Sequence, residues 1–522
     1  MTHRLFRSRA LAGLVLSSIT LGACGGHETT IPEIPPLETG SAGGEATPAP
    51  VPARESPPPS ATPRDVAFPP VARSTVGQGL ELDVVEQHQL PLVYLSLVVR
   101  SGAETDPAEL PGLSSFVAAM LKEGTRRLSS AALAEEIDFL GAQFDTSADP
   151  ENVVVTFRVV RPQFERAMQL LSEIATQPAF SQVELDKLKR RERDRLELVS
   201  QEPDWLAERA YHAALYGSHP YARTDTTPAA VDRISRNDLV RWHRTHFVPS
   251  NAYLVVVGDV TAAEAARVTG SVLGGWRGRP VAAQTPPSPP TRTTREVLIV
   301  DRPGSVQSLI QIGNLAMPRN DDQWVPMLVA NQVLGGSAAS RLFMDLRERR
   351  SLTYGAYSSV DEYVQVAPFT ASASVRTEVT TQAIGAFFEH LGRITSEAPS
   401  AEELANAERY LSDSFPLRIA TTASIATRIS ELREFGLPDD YWDTYRSRIG
   451  QVTADQALAA ARAHIHPDTA LVLVVGEASR FEDELRAYGP VTVVDAEGAV
   501  LRRLDATTTS PSAPISGSPA TE

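Results

Sequence analysis

Ten histidines and one cysteine, Cys24, are the imidazole and thiol donors of this 522-residue chain. A single thiol forms no internal disulfide and excludes a zinc ribbon or an iron–sulfur cluster. Cys24 is left with three roles: free thiol, intermolecular bridge or covalent modification. His243 and His246 stand three apart and His464 and His466 two apart. Each pair has imidazoles enough for one edge of a metal site; no acid or third histidine joins His243 and His246 at useful spacing. His246 recurs as His464 at an offset of 218 residues, near the end of a helix each time. A histidine there is expected to cap carbonyls at the negative end of the helix dipole. No Gly-x-Ser-x-Gly elbow occurs, so a serine hydrolase lacks its usual mark. Gly335-Gly336-Ser337 lacks the Gly-Lys-Ser/Thr ending of a phosphate loop and reads as a turn before a helix.

Forty-two per cent of residues are apolar and 22% charged, which provides for a packed core. With 49 basic and 64 acidic side chains the formal charge is −15, which repels phosphate backbones and excludes a nucleic-acid partner.

Arg4, Arg7 and Arg9 precede an apolar run from Ala10 to about Leu21, the order of a secretory signal. The run falls short of the ~20 residues of a membrane span. Leu21-Gly22-Ala23-Cys24 resembles the lipobox of bacterial lipoproteins; the alternative is a small-residue cleavage site with an incidental cysteine. The resemblance implies a signal over residues 1–23 and lipid on the Cys24 sulfur, each buried methylene adding ~0.8 kcal/mol to membrane binding. Gly25 rather than Asp after the cysteine implies the outer membrane, facing the periplasm. Residues 25–73 hold 12 of the 39 prolines, so 24–75 is read as a lipidated, extended tether.

The rest of the chain repeats. Pro249 to Asp259 returns as Pro467 to Glu477, offset by 218, and the capping-box pair Ser181/Glu184 returns as Ser400/Glu403, offset by 219. Strands at 92–99 and 306–312, and at 153–160 and 367–374, fall at matching places. The expected organisation is an α+β fold of two homologous halves, 76–279 and 296–490, each a mostly antiparallel sheet with helices on one face. A proline-rich linker, 280–295, joins them, and 491–522 is read as a tail, disordered from about Thr507.

Leu110-Pro111-Gly112-Leu113, the phrase Leu121 to Thr125, Leu215-Tyr216-Gly217-Ser218-His219-Pro220-Tyr221 and the phrase Leu334 to Phe343 resemble the pitrilysin/insulinase family of metallopeptidases, over about residues 76–490. In that family the helix after Pro-Gly-Leu carries His-x-x-Glu-His: two zinc ligands on one helix face and a glutamate that polarises the bound water. Here the window reads Ser115-Phe116-Val117-Ala118-Ala119. Ser115 and Ala119 take the ligand positions and Ala118 that of the base. The third ligand falls near Arg195, flanked by Glu192 and Glu197, which are expected to form ion pairs along their helix. The resemblance therefore implies no zinc and no zinc-dependent peptide hydrolysis in this chain alone.

Arg347 and Tyr354, seven apart, match the family's substrate-clamping arginine and tyrosine, which hold the substrate backbone and stabilise an oxyanion at the zinc of an opposing subunit. The alternative is an Arg347 paired with Glu348 or Asp345 and a Tyr354 that only packs. Ser351 stands where many relatives have glycine. The resemblance implies a non-zinc subunit that forms a clamshell heterodimer with a zinc-bearing homologue and binds a peptide or protein substrate. The second reading is a non-catalytic peptide-binding or scaffold lipoprotein of the same fold.

Overall fold

The computed structural model describes residues 66–282 and 285–507. Strands β1 (Ala72–Val76), β2 (Leu80–Glu86), β3 (Leu92–Val99), β4 (Gln143–Ala148), β5 (Val153–Val160) and β6 (Ala252–Gly258) form one sheet in the order β1-β2-β6-β3-β5-β4. Strands β7 (Glu296–Asp301), β8 (Gln307–Met317), β9 (Thr353–Val360), β10 (Ala367–Arg376), β11 (Leu471–Gly476), β12 (Val491–Val494) and β13 (Val500–Leu504) form the other, ordered β13-β12-β7-β11-β8-β10-β9. Without their outer strands the two sheets share one topology, β2-β6-β3-β5-β4 matching β7-β11-β8-β10-β9. In each, the first pair is parallel and the rest antiparallel. The 218-residue repeat is a duplicated fold.

Each sheet lays one face on its own helices. In the first half Leu82, Leu95, Leu97, Val155 and Phe157 meet Phe116, Leu170, Leu171 and Trp242. The helix Phe164–Thr176 supplies Phe164, Ala167, Met168, Leu171 and Ala175 at helical spacing, one apolar stripe. The second faces are exchanged. Helix Pro203–Tyr216 of the first half sends Leu206, Ala207, Tyr211 and Leu215 onto Leu471, Leu473 and Val475 of β11, and the Tyr216 hydroxyl donates to Val366 O at 2.8 Å. Its counterpart in the repeat, Thr422–Glu434, lies on β3 and β6 of the first sheet, where the Tyr253 hydroxyl donates to Ser430 O at 3.4 Å. Covered on both sides, β6 and β11 are buried along their whole length, which explains their unbroken Leu and Val runs. Strand β5, beside β3, alternates in burial instead. Fully burying each leucine or valine in these layers contributes ~1.5–3 kcal/mol.

A charged tie accompanies the exchange. Asp83 on β2, with 0% of its side chain exposed, accepts from Arg433 Nε at 2.7 Å and Nη2 at 2.6 Å. Arg433 belongs to the exchanged 422–434 helix, so the ion pair joins one half to the other.

Several expectations change. Residues 491–504, read as part of the tail, contain β12 and β13; β12 runs parallel to β7 and extends the sheet, because Val491 and Val493 bury against it. Ser400 and Glu403 form a complete capping box, whereas the Ser181 side chain makes no cap bond and Glu184 pairs with Lys187 at 3.0 Å. The signal segment, Cys24 and the tether up to residue 65 lie outside the described residues, while residues 72–75, read as the end of that tether, belong to β1 and pair antiparallel with β2.

Candidate functional site

The helix Leu113–Met120 carries the motif window, and its start is fixed by one buried carboxylate. Asp106 Oδ2 accepts from Gly112 N at 2.9 Å and Ser114 Oγ at 3.1 Å, while Oδ1 accepts from Ser114 N at 2.9 Å. Gly112 is left-handed at φ 88°, and a Cβ there would lie 2.6 Å from Thr226 Cβ. Glycine thus brings the helix against the 225–226 segment. Ala118 faces inward, its carbonyl accepting from Thr146 Oγ1 at 2.6 Å, and Ser115 is exposed.

Ser115 and Ala119 line a cavity of about 60 Å³ together with Leu188, Glu192, Asp225 and Thr226. Glu192, one turn before Arg195 on helix Gln182–Val199, is the carboxylate that faces the motif helix. Arg195 spans Glu192 and Asp225: its Nη2 is 2.5 Å from Glu192 Oε1 and 2.7 and 2.9 Å from the two Asp225 oxygens, and its Nε donates to Glu192 at 2.8 Å. Trp205 Nε1 also donates to Asp225, at 2.8 Å. Burial opposes the charge on Arg195, but the two carboxylates outweigh it and hold the guanidinium above its ordinary pKa. A guanidinium, fixed to the chain, pairs with both acids beside the cavity and cancels one of their two negative charges. The donor set of Ser115, Ala118, Ala119 and Arg195 is a hydroxyl, two methyls and a cation, which does not fit zinc. Among the described residues no group of three His, Cys, Asp or Glu side chains is arranged to hold a metal. Asp225 escaped the sequence reading: it lies 30 residues from Arg195 with no local pattern to link them.

The paired histidines have separate structural roles. His246 does not cap its own helix; its Nδ1 lies 2.8 Å from Ser101 Oγ and its ring 4.5 Å from that of Trp242. Burial pushes it down to about 4, so it is neutral. His243 Nε2 meets Ala175 O, at the end of a neighbouring helix, at 2.8 Å, and burial pushes it too down to about 4. His464 Nδ1 lies 3.3 Å from Ala316 O and its Nε2 3.0 Å from Gln323.

Arg347 lies within an unusual piece of backbone, and Tyr354 follows it. Residues Phe343–Arg349 form a π-helical turn, closed by Arg350 N donating to Asp345 O at 2.9 Å. Such turns are rare and cluster at functional sites. Asp345 is buried and accepts from Arg350 Nε and His390 Nε2, both at 2.9 Å. Burial opposes its charge, but those two partners outweigh it and hold the carboxyl below the ordinary range. The preceding turn is pinned by Arg341, paired through two nitrogens with Glu403 at 2.7 and 2.9 Å. On this support the Arg347 side chain is 46% exposed, 4.8 Å over the Phe343 ring and 3.4 Å from Glu348. Tyr354, on the edge strand β9, is 91% exposed and does not pack.

Between them, Ser351 sits at φ 52°, a left-handed conformation that strains a residue with a Cβ. Ser351→Gly is expected to raise stability by up to about 1 kcal/mol, read as a higher denaturation midpoint. A lower midpoint would show that the serine side chain contributes more than its strain costs.

Residues 84–229 match the family model described as insulinase (peptidase family M16), and residues 233–411 match the model described as the peptidase M16 inactive domain. A Bacillus subtilis protein named uncharacterized zinc protease YmxG is 22% identical over 77% of this chain and 98% of its own. A Helicobacter pylori protein named non-peptidase homolog YmxG is 22% identical over 73% of this chain and 88% of its own. The crystal structure of a peptidase M16 inactive domain from Pseudomonas fluorescens matches with a TM-score of 0.74 at 26% identity, covering 78% of this chain and 98% of that one. With both family models in sequence order and the same duplicated fold, this chain belongs to the insulinase family of peptidases, family M16.

Proposed function

We propose that this chain is the non-zinc subunit of a two-chain peptidase, closing as a clamshell on a zinc-bearing homologue and contributing Arg347 and Tyr354 to substrate binding and oxyanion stabilisation. One observation carries the reading. A guanidinium and a phenol stand exposed on a buttressed turn and edge strand, in a chain whose own motif helix has no metal ligand. Both groups donate hydrogen bonds, and both suit an oxygen that gains charge as a peptide carbonyl is attacked. The metal and the general base belong to the partner. Lipid on Cys24, proposed from the Leu21–Cys24 resemblance, would tether the subunit to the outer membrane on the periplasmic side.

A second reading, a peptide-binding scaffold, is favoured by the occupied state of Arg347, which stacks on Phe343 and lies near Glu348. Affinity purification of the full chain from native membranes separates the two. A stoichiometric homologue with intact His-x-x-Glu-His supports the heterodimer, and recovery without one favours the scaffold. Replacing Cys24 by alanine in the same experiment tests the anchor: the protein should move from the membrane to the soluble fraction.

A further inference from the structure

The two halves meet at a pair of carboxyl groups. Glu151 lies in the turn between β4 and β5 and is 6% exposed. Its Oε1 accepts from Val364 N, in the β9–β10 loop of the other half, at 2.6 Å, and its carboxylate also accepts from the Tyr221 hydroxyl. Glu434 ends the exchanged 422–434 helix, where its Oε1 accepts from Asn152 Nδ2, beside Glu151, at 2.9 Å. Asn152 and Glu151 are neighbours in one turn, so this bond sets the Glu434 carboxyl beside that of Glu151. Two carboxylates have no proton to donate, so neighbouring carboxyl groups are joined by a hydrogen bond only when one of them is an acid.

The charges facing the pair are of its own sign. Asp149 stands in the same turn, holding the Glu151 and Asn152 amides at 2.8 and 2.7 Å. Glu104 approaches from the Ala103–Thr105 turn, and Glu431 from one turn back on the 422–434 helix. The phenols of Tyr216, Tyr221 and Tyr253 are held protonated by burial. Nearby cations are engaged with other acids. Arg433 is on Asp83 and Glu81, Arg428 on Glu431 at 2.7 Å, and Arg100, over the Tyr253 ring, on Glu81 at 3.0 Å.

We propose that Glu151 and Glu434 share one proton across the seam between the halves, and that this proton is a latch. With it, a carboxyl–carboxylate bond holds the end of the exchanged helix on the first half. Without it, the buried Glu151 carboxylate and the half-buried Glu434 carboxylate repel and the helix end loosens from the first sheet.

Burial first, then the surrounding carboxylates, push Glu434 upward, and burial does the same to Glu151 despite its hydrogen bonds. The folded seam keeps a proton that the unfolded chain has released. Its contribution to stability is therefore full below the ordinary carboxylate pKa, ~4.3, and is lost as pH rises through the raised value.

The test compares melting of the purified full chain at pH 5.5 and 8.5 with that of Glu434→Gln, an uncharged hydrogen-bond donor, and of Glu109→Gln, an exposed control. The wild type and the control are expected to lose roughly 3 °C or more on going to pH 8.5, and Glu434→Gln clearly less. An equal loss in all three would overturn the latch. Should Glu434→Gln not fold, hydrogen exchange on the wild type decides. After correction for intrinsic rates, protection at the end of the 422–434 helix must fall between pH 5.5 and 8.5; unchanged protection there also overturns it.

Discussion

In complex with a zinc-bearing homologue, Arg347→Ala and Tyr354→Ala are each expected to lower kcat by about 10²-fold or more, with a much smaller change in KM. Removing one preorganised oxyanion donor costs about 2.7–4 kcal/mol of transition-state stabilisation, and a donor that acts on developing charge leaves ground-state binding largely intact. Two finer variants separate charge from geometry. Arg347→Lys keeps the charge but loses the planar fork, so its activity should fall between those of wild type and alanine. Tyr354→Phe removes only the hydroxyl and should match Tyr354→Ala if the hydrogen bond is what matters. Because both side chains are largely exposed, none of these changes should lower the denaturation midpoint appreciably. Wild-type turnover in the alanine variants would remove the catalytic contribution and leave the scaffold reading.

Arg433→Ala is the substitution with the largest expected effect on stability. It leaves Asp83 buried on β2 with Arg73, 3.7 Å away, as its remaining cation. Removing one partner of a buried pair typically costs about 3–5 kcal/mol, mostly the penalty of a charge without compensation. The double variant Asp83→Leu with Arg433→Met should recover most of that loss, since it removes both charges and keeps apolar volume. The exchange of the 203–216 and 422–434 helices adds a second expectation: each sheet has one face covered by the other half, so both halves should unfold in one transition. Denaturation of Arg433→Ala followed by both fluorescence and circular dichroism would show this. A wild-type midpoint would mean that Asp83 is not the tie described, and two separated transitions would mean that the exchange does not couple the halves.

The duplicated fold was legible because strand signals survive duplication well. The strands ending Gly258-Asp259 and Gly476-Glu477 are buried on both faces, so apolar residues recur at every position and the offset is plain. The motif window was legible for a similar reason: Gly112 is required by its backbone and by the approach of Thr226, and it fixes where the helix begins. What escaped was long-range. The apolar stripe of the 203–216 helix states that a face is buried, but not that the covering sheet belongs to the other half. Arg195 could be set beside Glu192 from helical spacing, whereas its second partner, Asp225, arrives only through folding. His246 was read as a cap from its position at a helix end; burial against Trp242 and Ser101 decided otherwise. Strands β12 and β13 are four and five residues long, too short for periodicity to separate them from a tail.

Where the family carries its metal site, this chain holds an internal ion pair, Arg195 between Glu192 and Asp225. Metal analysis of the purified full chain, coupled to a peptide-cleavage assay with and without chelator, tests it most directly. Zinc far below one equivalent and no chelator-sensitive cleavage by the chain alone are expected. Stoichiometric zinc with cleavage that the chelator abolishes would contradict it.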